Sequence, residues 1–222
     1  AAERAFLEKA DFRKDYSDYF YKNAVTSQYN LGITGSGKGM SYAFSAGHNE
    51  IKDNYGQPGG KDNLRFSLRM QLSERVKFSL STMYTNSRNN NRQIPTFAQL
   101  SRVGGRQSVP YMSLFDQNGR ENAFYRDYNP FLIDTVGGGR LLDWHYYPYS
   151  DPQNTDWKSR LSELLGNVAI EVKILGGLNL TAYYQLQRQD IGNENLYGQQ
   201  SYYTRGYINR FSEINEQAGE VT

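Results

Sequence analysis

Apolar and polar residues alternate with a period of two along much of the chain. In 25–34, Val25, Ser27, Tyr29, Leu31 and Ile33 fall on one face; Thr26, Gln28, Asn30, Gly32 and Thr34 fall on the other. In 40–48, Met40, Tyr42, Phe44 and Ala46 oppose Ser41, Ala43, Ser45 and Gly47. In 63–72, Leu64, Phe66, Leu68, Met70 and Leu72 oppose Asn63, Arg65, Ser67, Arg69 and Gln71. Val76, Phe78, Leu80 and Tyr84 repeat the pattern over 76–86, and Leu164, Val168, Ile170, Val172 and Ile174 repeat it over 163–174. Leu178, Leu180, Ala182, Tyr184 and Leu186 give a last instance. Successive side chains of a strand point to opposite faces, so each stretch predicts a strand with one apolar and one polar side.

The connections between these strands are unequal. Gly35-Ser36-Gly37-Lys38, Ser73-Glu74-Arg75 and Leu175-Gly176-Gly177 are short enough for hairpins. The alternate connections, 49–62, 87–160 and everything after 189, are long. In an up-and-down antiparallel sheet, successive connections fall on opposite edges, so the short turns share one edge and the long loops the other. That asymmetry marks an outer-membrane β-barrel, with short periplasmic turns and long extracellular loops. The predicted fold class is therefore all-β: about six or seven antiparallel strands of a larger transmembrane barrel. A soluble sandwich also alternates, but it has no reason to gather its long loops on one edge. Residues 1–24 do not alternate; Phe6, Leu7, Ala10 and Lys14 have mixed helical spacing, which predicts a short helix breaking into a linker.

Composition sharpens this picture. Of 222 residues, 19 are Tyr, 11 Phe, 2 Trp and 21 Gly, a mixture suited to strands and polar loops rather than to helices or disorder. The net charge of +2 removes the basic excess expected of a nucleic-acid binder. The absence of cysteine excludes disulfides and thiolate metal sites. No apolar run is long enough for a transmembrane helix, which leaves membrane-spanning strands untouched.

Candidate chemistry is sparse. Gly32-Ile33-Thr34-Gly35-Ser36-Gly37-Lys38-Gly39 approaches a phosphate-binding loop. However, Gly39 stands where the Mg²⁺-binding hydroxyl belongs, and 40–48 alternates as a strand instead of opening a helix. A hairpin turn is the better reading. His48 and His145 are the only histidines, and neither lies among metal-ligating neighbours. Asp151, Asn154 and Asp156 lack the glycine and terminal Glu of a calcium loop and read as a polar turn. No catalytic set assembles, so no enzyme activity, metal or cofactor is expected. The loop 87–160 holds Phe97, Tyr111, Phe115, Phe124, Tyr125, Tyr128, Phe131 and the cluster Trp144, Tyr146, Tyr147, Tyr149 and Trp157. So many aromatics must pack on the loop itself, on a partner or on a ligand. The predicted ligand contacts are Arg140, Trp144, Tyr146, Tyr147, Tyr149 and Trp157, presented from an irregular stretch that Pro148 and Pro152 keep out of helix and ladder.

Several segments resemble a known family. They are Phe20-Tyr21-Lys22-Asn23-Ala24, Gln28-Tyr29-Asn30-Leu31-Gly32-Ile33-Thr34-Gly35, Met40 to Gly47, Asn63 to Arg69, Val76 to Ser81, Tyr128-Asn129-Pro130 and the Leu165-Gly166-Asn167…Leu178-Asn179-Leu180 hairpin. In order and spacing they are similar to the early barrel of SusC/RagA-type TonB-dependent outer-membrane transporters, just after the plug. The resemblance implies energised import of glycans or peptides, an integral outer-membrane location in contact with lipid, a SusD-like lipoprotein lid, and coupling to TonB. Residues 1–24 would be the linker from plug to barrel, and 25–222 part of the barrel. The plug and TonB-box would lie outside this chain, and its six strands are far short of the number, about 22, that closes such a barrel. The alternative is a non-transporting outer-membrane barrel or a surface carbohydrate-binding β module.

Overall fold

The computed structural model describes residues 11–100, 102–103, 107–108, 112–215 and 220–221. Phe6, Leu7, Ala10 and Tyr111 lie outside the described residues. The chain forms two compact units. A sheet unit comprises Asn23–Asn90 and Lys158–Glu194; a loop unit comprises Ala1–Lys22, Asn91–Trp157 and Asn195–Thr222.

The sheet contains six strands: β1 Val25–Gly37, β2 Met40–Lys52, β3 Pro58–Gln71, β4 Val76–Asn91, β5 Thr155–Leu175 and β6 Leu178–Tyr197. Their spatial order is their sequence order, and β1 to β4 pair antiparallel. This is the predicted all-β, up-and-down antiparallel architecture, left open at β1 and β6. Lys38 and Gly39 form the first turn, with Gly39 at φ +72°, a left-handed value that favours glycine. Because residues 40–52 continue as a strand, the glycine-rich segment 32–39 is a hairpin with no helix N-terminus to hold phosphate.

Register turns the alternation of single strands into rows across the sheet. On the apolar face the rows are Met40–Met70–Phe78, Tyr42–Leu68–Leu80, Ile33–Phe44–Phe66–Thr82 and Leu31–Ala46–Leu64–Tyr84. Leu31, Ile33, Met40, Tyr42, Phe44, Leu64 and Tyr84 of these rows are exposed, and Phe66, Leu68, Met70, Phe78 and Leu80 are half-buried. Gly35 opposes Tyr42, whose ring lies over it so closely that a Cβ at Gly35 would collide with it. The reverse face carries Asn30–Gly47–Asn63–Thr85, Gly32–Ser45–Arg65–Met83 and Ser36–Ser41–Arg69–Ser79. Hydrogen bonds cross it from Thr85 to Asn63 (3.1 Å), Lys77 to Glu171 (3.2 Å), Tyr183 to Asn167 (2.8 Å) and Gln187 to Glu163 (2.8 Å).

The apolar face has a sharp limit. The next row is Tyr29–His48–Asp62–Asn86, and beyond it comes Ser27–Glu50–Gly60–Arg88. There His48 Nδ1 lies 2.6 Å from Asp62 Oδ1, Arg88 reaches Asp62 at 3.4 Å, and Tyr29 stacks on His48. Leu64 to Leu72 covers about 26 Å along the strand at ~3.3 Å per residue. A tilt of about 40° reduces that to ~20 Å, near the ~25 Å apolar band of an outer-membrane barrel.

The strands continue past this limit, which changes their expected ends. β2 runs to Lys52 and β3 begins at Pro58, so the connection is Asp53 to Gln57 and not the long 49–62 loop. Asp53 Oδ1 closes it by accepting from the Tyr55 and Gln57 N–H groups, both at 2.8 Å. Likewise β4 reaches Asn91, β5 starts at Thr155 and β6 extends to Tyr197. Alternation fades where both faces become polar, while backbone pairing does not.

An Arg replacing Phe66, in the middle of the apolar face, is expected to destabilise the inserted protein by about 2–4 kcal/mol. Ser67→Arg, on the polar face one residue away, should have little effect. Urea unfolding of each variant in lipid vesicles measures the difference; equal destabilisation would contradict the assignment of the two faces.

Candidate functional site

The loop unit is built around aromatic side chains from three stretches of chain. Helix α1 (Phe12–Phe20) opens with Asp11, whose carboxylate accepts from the Arg13 and Lys14 N–H groups. Phe12, Tyr16 and Phe20 fall four residues apart, so they share one face of the helix. All three are buried. Phe12 packs on Phe97 and Phe124 (5.6 and 6.0 Å between ring centroids), and the Tyr16 hydroxyl donates to Pro95 O at 2.9 Å. Asp15, on the adjacent face, accepts from Ser113 Oγ (2.7 Å) and from Leu114 N–H (3.3 Å). Leu114, Phe124, Ile133, Tyr146 and Tyr202 complete the core. Two further helices join it: α2 (Phe97–Leu100) and α3 (Pro130–Thr135), the latter capped by Asn129.

The fourth helix, α4 (Tyr202–Phe211), begins at Ser201, which caps the Thr204 N–H. Its polarity is inverted. It buries Arg205 and Asn209 and exposes Tyr203, Tyr207 and Phe211, the last at 71%. Each buried polar group is fully engaged. Arg205 donates to the Gln200, Asp143 and His145 carbonyls at 3.1, 2.7 and 3.1 Å. Asn209 exchanges two hydrogen bonds with the Leu142 backbone, at 2.8 and 2.9 Å. These bonds tie the helix to the stretch 142–145.

The residues expected to contact ligand do not gather in one place. Tyr146 is only 3% exposed and belongs to the core; it bridges the Phe124 backbone and meets Tyr202 edge-on. Trp157 stands on β5 and not in an irregular loop, with its ring edge-to-face against Tyr197. Tyr149 packs with Tyr19, Phe20 and Phe115. Trp144 meets Tyr128 edge-to-face at 5.0 Å, and Tyr147 lies under the Arg205 guanidinium. Arg140 is exposed at the end of the Val136–Gly139 turn. Pro152 does not exclude helix: it opens the 3₁₀ turn Asp151–Asn154.

What sequence reading missed is a cleft of 260 Å³ beside α4. Its walls carry five tyrosines, Tyr128, Tyr197, Tyr202, Tyr203 and Tyr207, together with Arg126, Arg210, Asp127 and Asp151. Arg126 lies over the Tyr146 and Tyr202 rings, and Arg210 Nε donates to the Tyr128 hydroxyl at 2.7 Å. Two indoles pack on lining tyrosines, Trp144 on Tyr128 and Trp157 on Tyr197, and the N–H of each is buried without an acceptor among the described residues. The signal that locates this cleft is helical spacing in 202–211, where Tyr203, Tyr207 and Phe211 recur every four residues.

Burial shapes the local electrostatics. Asp151 is buried, which pushes its carboxyl up, although it accepts the Tyr202 N–H and lies near Arg205 and Arg126. Burial also acts upward on Asp143, but hydrogen bonds from the His145 N–H, the His145 ring and Tyr147 outweigh it and hold Asp143 below its ordinary value. His145 links Asp143 to Asp134, at 2.7 and 3.3 Å.

No family model and no curated protein matches the chain. Solved structures do. The chain is similar to a chain in the structure of the RagAB peptide importer in the 'closed-closed' state, with a TM-score of 0.62 and 18% identity over 87% of this chain and 21% of that one. It is also similar to a chain of the 'open-open' state of that importer, with a TM-score of 0.58 and 19% identity over 82% of this chain and 19% of that one. The chain thus spans about a fifth of the length of these importer chains, and the likeness is one of fold.

Two outcomes test the geometry. Arg205→Met should destabilise the loop unit by more than about 2 kcal/mol, because it strands buried carbonyls; a melting curve of the purified protein reads this. Asp143 has a depressed folded pKa, so its contribution is full above the unfolded value of about 3.9. It is lost as the pH falls through the lower folded value. The stability gap between wild type and Asp143→Asn should therefore shrink as the pH falls from about 5 towards 3.

Proposed function

We propose that this chain is a wall segment, with its surface loops, of a TonB-dependent outer-membrane importer for peptides or oligosaccharides. The observation that carries this reading is the two-faced register. An exposed apolar face about one membrane thick ends in a charged row, and a hydrogen-bonded polar face suits the wet interior of a barrel. Similarity to the RagAB peptide importer supports the same reading from the fold. In such an importer the apolar face meets outer-membrane lipid, and the open edges of the sheet at β1 and β6 are paired by further strands of the barrel. The work is binding and passage, without a bond-breaking step.

The RagAB pairing also motivates a partner, a SusD-like lipoprotein that covers the loop side. Energy would come from TonB through regions of the protein outside this chain. Arg140, Trp144, Tyr147 and Tyr149 are the loop residues assigned to substrate or lid. Tyr146 and Trp157 act behind them, Tyr146 in the loop core and Trp157 against Tyr197.

Cells producing the full protein test this directly. It should fractionate with the outer membrane and migrate faster on a gel before boiling than after. Uptake of a labelled peptide or oligosaccharide pool should require it and should stop when TonB or the neighbouring lid lipoprotein is deleted. A soluble protein, or uptake indifferent to TonB, would overturn the proposal.

A further inference from the structure

The two faces of the sheet treat charge differently. On the apolar side, charges begin past its limit and pair with one another. Asp62 holds both His48 and Arg88, and Arg188 lies 3.1 Å from Asp190. On the polar side, register brings together Lys61, Arg65 and Arg69 of β3 and Lys77 of β4, and no Asp or Glu falls on that side of β1 to β4. β5 adds Lys173 there, with Glu163 and Glu171. Both of these carboxylates are engaged, Glu171 by Lys77 at 3.2 Å and Glu163 by Gln187 at 2.8 Å. The face therefore carries an excess of cations, and the excess is centred on β3.

Arg65 and Arg69 are exposed, with no carboxylate on the same face of either neighbouring strand. Among the described residues Arg65 donates to Met83 Sδ at 3.5 Å, a weak acceptor. The side chains around the two arginines are short. Thr34–Ala43–Ser67–Ser81 is the row between them, and Ser41 and Ser79 flank Arg69. Open hollows of 620 and 470 Å³ meet at Arg69 and Ser41, and the second extends to Lys77. Both guanidiniums thus stand above a low floor of hydroxyls, reachable from the open side. Arginines kept for the sheet's own stability would have acceptors beside them, as Arg88 and Lys77 do.

A wall with unbalanced positive charge concentrates anions and repels cations, and a neutral ligand takes no benefit from it. Spacing narrows the choice among anions. Arg65 and Arg69 lie four residues apart on one strand, about 13 Å at ~3.3 Å per residue. An extended peptide rises by the same amount per residue, and its side chains i and i+4 share a side. Carboxylates four residues apart in such a peptide meet both arginines in step.

We propose that the polar face of β1 to β4 selects anionic cargo, with Arg65 and Arg69 receiving carboxylate side chains of an acidic peptide in extended conformation. This deepens the importer reading and rests on it for passage across the membrane. The preference for anions belongs to the face itself.

The test uses purified full-length protein in detergent at low ionic strength. The probe is an alanine- and serine-based peptide, blocked at both ends and carrying a neutral dye, with two glutamates four residues apart. Fluorescence anisotropy compares it with twins that carry glutamine or lysine in their place. The glutamate peptide should bind about tenfold more tightly than the glutamine twin, the expected sum of two exposed ion pairs. The lysine twin should bind most weakly. Arg65→Gln and Arg69→Gln should each cost the glutamate peptide about threefold, and the double variant should erase its advantage. Arg88→Gln, on the other face, should change nothing. Salt at about 0.5 M should remove the preference. Equal binding of the glutamate and glutamine peptides, or an unchanged preference in the folded double variant, would overturn the proposal. Tighter binding of oligogalacturonate than of the glutamate peptide, lost in the double variant, would overturn the choice of a peptide. Far-UV dichroism and gel mobility before boiling establish that the variants fold. Fractionation and uptake in the same strains keep the two ideas apart. An importer that takes up glutamate and glutamine peptides equally refutes only the charge selection, while a protein absent from the outer membrane refutes the importer reading whatever it binds.

Discussion

Opposite residues of an antiparallel pair share a face, and everything in the sheet unit depends on that constraint. It converts strand-by-strand alternation into rows such as Ile33–Phe44–Phe66–Thr82 on one side and Gly32–Ser45–Arg65–Met83 on the other. A slip of one residue in any pair would carry a whole strand of Leu, Phe and Met to the polar side. The same register aligns the place where each strand changes character. His48, Asp62 and Asn86 come to one row because pairing puts them there, so the apolar face ends along a line and not at ragged points. A membrane is a slab, and only a face bounded in this way can meet one.

The loop unit obeys a different rule. Among its described residues the ladders are only two residues long, so side chains satisfy many of its backbone groups. Asp15 serves Leu114, Asp116 closes a turn, and Arg205 alone accounts for three carbonyls. Aromatic packing supplies the core, chiefly through Phe12, Tyr16 and Phe20 from a segment far away in sequence. Using Arg205 and Asn209 as the anchors of α4 frees its aromatic side for another purpose, which gives the helix its unusual polarity.

Much of this was legible in the chain. Alternation located all six strands and their polar and apolar sides, because period two survives wherever one face is apolar. It failed at the strand ends for the same reason: beyond His48 and Asp62 both faces are polar, so 49–62 read as a loop although only Asp53 to Gln57 turn. The helices were harder. Residues 12–20 carry a clear four-residue aromatic stripe that an inspection of Phe6, Leu7, Ala10 and Lys14 passes over. Residues 202–211 carry another, but its aromatic face is the exposed one, so the usual rule for finding a core would misplace it. Tyr146 and Tyr149 belong to one aromatic cluster in sequence and to separate clusters in space, because the turn beginning at Pro148 redirects the chain between them.

The central claim, that one face of the sheet meets lipid and the other water, is open to a direct measurement. The chain has no cysteine, so single cysteines can be placed without background. Spin labels introduced one at a time from Gly60 to Leu72 in the membrane-inserted full protein would report collision with oxygen, which partitions into lipid, and with a water-soluble nickel chelate. Positions 64, 66, 68 and 70 should favour oxygen, positions 63, 65, 67 and 69 should favour nickel, and the alternation should vanish at Asp62 as both faces become aqueous. Equal access to nickel at 66 and 67, or an oxygen preference that persists through 60 and 62, would contradict the account.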